Sequence, residues 1–109
     1  VMNSIITDAA TGEGVLVDGG ASFTGTYNDV YGNSGGDYSG ITDPTGSNGN
    51  LSSDPGFTAW SDDGNPANDD MSLASGSPAI DAGNPSSSYD DEDGTNNDMG
   101  AWGGSNSVW

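Results

Sequence analysis

The sequence predicts an all-β fold, with short solenoid coils over residues 1–60 and an acidic, loop-rich cap over 61–109, the two forming one cooperative unit. Three observations predict it. Short β-branched or apolar runs alternate with turn pairs, and no segment has helical periodicity. An Asn recurs ahead of three such runs at coil-like spacing. The acids concentrate in the second half, where ten of the 17 fall between Asp62 and Asp98.

Candidate strands, in chain order, are residues 4–7, 14–17, 23–27, 29–31, 56–60, 71–73 and 79–80. Turn pairs punctuate them: Asp18-Gly19, Gly35-Gly36, Asn48-Gly49, Asp63-Gly64 and Asp93-Gly94. Asn and Asp bond their own backbone in turns, and Gly supplies the left-handed conformation. The Asn repeat comprises Asn3, Asn28 and Asn50, spaced by 25 and 22 residues. That spacing suits one coil of a parallel β-helix, in which stacked Asn side chains bond from rung to rung. The competing reading is that Asn is common in any turn-rich chain.

Composition excludes several functions. The chain has no Lys, Arg or His, and its formal charge is −17. Phosphates and anionic lipid surfaces need cations, so nucleic acid and anionic membranes are unsuitable partners. No run approaches the roughly 20 apolar residues of a membrane span. Leu, Ile, Val and Phe number 14 of 109 residues, few for a packed core and low enough to warn of disorder. Without Cys, no disulfide can compensate. Bound cations, further coils or self-association are the remaining staples. The chain opens at Val1 in a β-like run, which suggests a processed product or part of a longer polypeptide.

The residues from Asn28 to Gly104 carry a resemblance. Asn28-Asp29-Val30-Tyr31-Gly32-Asn33 and Gly49-Asn50-Leu51-Ser52-Ser53-Asp54-Pro55 look like final coils. Asp69-Asp70-Met71-Ser72-Leu73, Ser77-Pro78-Ala79-Ile80-Asp81-Ala82-Gly83 and the run Asp91 to Gly104 follow in order. This order resembles the C-terminal end of bacterial secreted or surface right-handed parallel β-helix proteins, in the broad pectate-lyase-like class. The resemblance implies a right-handed parallel β-helix and an extracellular or cell-surface setting. It implies no single activity, because such folds serve polysaccharide-active enzymes, adhesins and filaments.

Asp91-x-Asp93-Gly94-x-x-x-Asp98 is the sharpest chemical signal. Calcium takes six to eight oxygens, and alternating acids place two carboxylates around one turn. Gly94 lets the backbone bend, and Asp98 can return from the far side. Asp62-Asp63-Gly64-Asn65 with Asp69 and Asp70 is a second candidate set for Ca2+. The alternative at both places is a solvated acidic loop. Asp81 is read as a turn acceptor.

Catalysis is not expected. There is no His, no Cys and no basic residue to act as a lyase base. Abundant Asp allows a hydrolytic carboxylate pair, but abundance does not create one. Trp60, Trp102, Trp109, Tyr27, Tyr31, Tyr38 and Tyr89 can stack on sugars, although packing explains most of them. Ile5 and Ile6, on an open first strand, and Val108 and Trp109, on a Gly-Gly-Ser-Asn-Ser tether, are candidate assembly residues. The expectation is an extracellular, calcium-stabilised structural module that assembles with itself, head to tail, into an oligomer or fibre. A carbohydrate-binding or carbohydrate-cleaving chain is the alternative.

Overall fold

A computed structural model describes residues 1–104. Six short strands form in order: β1 (Ile5–Thr7), β2 (Val15–Leu16), β3 (Asp29–Tyr31), β4 (Tyr38–Ser39), β5 (Phe57–Ala59) and β6 (Asp70–Leu73). A 3-10 turn, Pro66–Asn68, precedes β6. β1 pairs with β3 in parallel, matching Ile5 with Asp29 and Thr7 with Tyr31. β2 pairs in parallel with β4. β5 and β6 form an irregular antiparallel pair.

The parallel β-helix is corrected by this topology. The described strands lie in three separate two-stranded sheets, and no closed or solenoid sheet forms. The third pass adds only one bridge to the first ladder, Asp29 with Leu51. Strand length is the physical reason. Asp8, Gly32 and Gly40 directly follow β1, β3 and β4, and all have positive φ (60°, 69° and 79°). Each turns the chain out of the ladder after two or three residues. Beyond Asp54 the chain forms a hairpin-like pair instead of another parallel pass.

The interior is mainly amide. Val30, Ala79 and Met99 are its buried apolar side chains, against Asn28, Asp29, Asn33, Asn50 and Asn97. Buried polar groups must be bonded, and most of these are. Asn28 Oδ1 accepts from Ser4 N, while its Nδ2 donates to Val1 O and Asn50 Oδ1. Asn50 Nδ2 donates to Gly25 O and Ser47 O. Asn33 does the same work at the next corner: its Oδ1 accepts from Ala9 N, and its Nδ2 donates to Ile6 O and Asp37 Oδ1. Each such bond contributes about 0.5–1.5 kcal/mol net. Side-chain amides thus join neighbouring passes where ladder bonds run out.

The Asn series is therefore real for Asn28 and Asn50 but not for Asn3. Asn3 has φ 54°. Its Oδ1 accepts from Asn84 N and its carbonyl from Gly100 N. The acidic C-terminal half folds back onto the first pass. Gly100 has φ 90°, and a Cβ there would crowd Ile5 Cδ1. No helix among the described residues is long and apolar enough to cross a membrane.

Candidate functional site

The acids singled out from sequence fall in two loops. In the 91–98 loop, Asp91 N donates to Thr95 O and Gly94 N to Asp91 O, closing a tight turn. Asp91 Oδ2 accepts from Asp98 N at 2.9 Å, and its Oδ1 accepts from Gly104 N. Asp98 Oδ1 accepts from Asp81 N at 2.8 Å. Asp93 Oδ1 accepts from Thr95 N and Thr95 Oγ1. Those two bonds lower the Asp93 pKa. Burial raises that of Asp98, the Asp81 N–H partly offsets this, and Asp91, Asp81 and Asp93 add to it.

The 62–69 loop is built alike. Asp63 Oδ1 accepts from Asn65 N, and its Oδ2 from Asn68 Nδ2, bracing the 3-10 turn. Asp69 Oδ1 accepts from Ser61 N and Ser61 Oγ. Asp62 is exposed on the same loop. Among the described residues, no three acids gather into a group able to hold an ion. Both loops present carboxylates that accept from backbone and side-chain donors.

Ile5 and Ile6 are half-buried. Ile5 lies against Gly100 of the returning segment. Val108 and Trp109 lie outside the described residues. Asn50 of the Asn50-Leu51-Ser52 sequon is buried, with its amide donating to two carbonyls, so it is unavailable to carry a glycan.

What sequence reasoning did not assemble is a cleft of about 240 Å³ on the Thr7–Tyr31 end of the first ladder. Its lining comprises Thr7, Asp8, Tyr31, Asp54, Pro55, Gly56, Phe57 and Trp60. Tyr31 is 38% and Trp60 42% exposed, although large aromatics bury readily. Tyr31 ends β3, just where Gly32 turns the chain away, and lines the cleft beside Asp54, Pro55 and Phe57. Thr7 Oγ1 donates to Asp8 Oδ2 at 2.9 Å. Asp54 Oδ1 accepts from Gly56 N at 2.9 Å. Each carboxylate is oriented by one bond and retains acceptor capacity.

On the same strand as Tyr31 lies Asp29, 0% exposed. Its Oδ1 accepts from Ser53 N at 3.0 Å, while its Oδ2 is buried with no partner among the described residues. Burial raises its pKa; the Ser53 bond opposes this, and Asp37 and Asp54 add to it. The Tyr38 hydroxyl is likewise buried without a partner, and its ring packs edge-on to Phe23. The only sequence signal for the cleft was the aromatic residues themselves.

Comparison with protein-family models, curated proteins and solved structures finds no significant match. The function is therefore argued from the site.

Proposed function

We propose that this chain is a non-catalytic extracellular module that binds neutral carbohydrate in the Tyr31–Trp60 cleft. One observation carries the reading: two exposed aromatic rings and two oriented carboxylates line the same concavity. Aromatic rings offer an apolar face to the C–H side of a sugar, and carboxylates accept from its hydroxyls. The charge of −17 disfavours uronates, sulfated glycans and other anions. The extracellular setting is part of this proposal. A glycan array carrying neutral and anionic sugars tests it. Neutral glycans should be retained and anionic ones should not, and retention of none would remove the reading.

A second reading is the self-assembling structural module, as an oligomer or fibre. Leu16, 63% exposed on β2, favours it, because β2 sits in a two-stranded sheet with an open edge. Calcium would then bridge single carboxylates of neighbouring copies, with Asp91, Asp93, Asp98 and the 62–69 acids as donors. Sedimentation with millimolar calcium and with chelator tests it. A monomer in both conditions would exclude this reading.

A further inference from the structure

A second cleft, also of about 240 Å³, adjoins the first. Thr7 and Phe57 line both, so the two clefts meet along a shared wall. Ile5, Met71, Gly100, Ala101 and Trp102 complete the second. Trp102 Nε1 donates to Met71 O at 2.8 Å, which fixes the indole on β6. Each volume lies just below the roughly 300–1,000 Å³ of ordinary ligand pockets, so each suits about one sugar ring.

We infer that the two clefts are contiguous subsites for a linear neutral polysaccharide, with Tyr31 and Trp60 at one subsite and Trp102 at the next. This rests on the carbohydrate reading above and extends it from a single sugar to a chain. The second subsite differs from the first in chemistry. Asp8 and Asp54 border only the first cleft. Ile5, Met71 and Ala101 give the second an apolar lining. The first subsite therefore selects hydroxyl pattern, and the second adds affinity through ring contact with little selection. Closure of the C-terminal segment onto Asn3 builds the second subsite, since Ala101 and Trp102 follow Gly100 directly. The fold-back thus acquires a binding role as well as a structural one.

The test is calorimetric titration with length ladders, from one to four units, of neutral β-glucan, β-xylan and β-mannan oligosaccharides. Wild type should gain about tenfold in affinity from the one-unit to the two- or three-unit ligand, as one further ring contact of about 1.4 kcal/mol implies. Trp102→Ala should abolish that gain, so that the variant binds two- and three-unit ligands no more tightly than it binds one unit. Trp102→Phe, which keeps a ring, should restore part of it, and a melting curve for each variant confirms folding. Affinity independent of length in wild type would overturn the two-subsite inference while leaving single-ring binding intact. A full length-dependent gain in folded Trp102→Ala would overturn it too. Binding to none of the three ladders would overturn the carbohydrate reading itself.

Discussion

The side-chain amide of Asn28 donates to Asn50 Oδ1 at 3.2 Å, with both residues fully buried. Asn50 Oδ1 also accepts the Asn28 backbone N–H. This side chain joins two passes of the chain beside the short backbone bridge of Asp29 with Leu51. Replacing Asn50 with Ala orphans the Asn28 backbone N–H and the Gly25 carbonyl, and takes one of two partners from the Asn28 amide and the Ser47 carbonyl. Each orphan costs about 1–3 kcal/mol. Asn50→Ala should therefore lose about 3 kcal/mol or more, a large part of a small domain's stability, in chemical denaturation. Asn3→Ala should cost less, because Asn3 stands outside this pair.

Asp29 predicts an inverted pH dependence. Its folded pKa is raised above the ordinary 3.8, so the folded state binds its proton more tightly than the unfolded chain. The resulting stability is fully present below the unfolded value and is lost as pH rises through the folded one. Asp98 acts in the same direction. Asp63, Asp70 and Asp93 are lowered and act oppositely: their contribution is present above the unfolded value and lost as pH falls through the folded ones. Those three are exposed, so solvent screens their effect. Asp29→Asn keeps an acceptor for Ser53 N without the buried charge. It should raise the melting midpoint at neutral pH by several degrees and flatten the gain on mild acidification. Thermal melts from neutral to mildly acid pH check this.

Gly100 tests the fold-back. Its φ of 90° disfavours any side chain, and a Cβ there would have to push the Ile5 Cδ1 methyl aside. Gly100→Ala should cost about 1–3 kcal/mol through backbone strain and the lost contact. Hydrogen exchange should show faster exchange at residue 100 and at Asn84, whose N–H groups bond Asn3. Unchanged protection there would mean that the return segment is not held by Asn3.

The absence of cationic side chains predicts a salt response. With a formal charge of −17 there is net self-repulsion, which monovalent salt screens over a Debye length of about 10 Å at 0.1 M. The melting midpoint should rise with sodium chloride. A calcium effect beyond that of sodium at matched ionic strength would indicate direct ligation by the acidic loops.

Part of this was legible in the sequence. Ile5–Thr7, Val15–Leu16, Asp29–Tyr31 and Phe57–Ala59 fall within runs whose apolar residues lie between turn pairs. The strand Tyr38–Ser39 did not, because Gly35, Gly36 and Gly40 surround it and read as turn. Residues 23–27 contribute only a single bridge at Thr26, and 79–80 form a turn anchored by Ser77. The solenoid expectation failed because spacing predicts which passes can meet, not how many residues remain extended when they do. The cleft was hidden for a related reason. Thr7, Tyr31 and Trp60 are far apart in sequence and share a surface only through the β1–β3 register and the path of residues 54–60. Side chain-to-backbone bonding and ion ligation draw on the same residues, so the acidic pattern in sequence is compatible with both.

The most direct test of the central claim is calorimetric titration of the retained neutral glycan into wild type, Tyr31→Ala and Trp60→Ala. Each substitution removes one exposed ring from the cleft wall. The account predicts a loss of about tenfold in affinity for each, from about 1.4 kcal/mol per ring, with melting midpoints little changed. Wild-type affinity in both folded variants would contradict it.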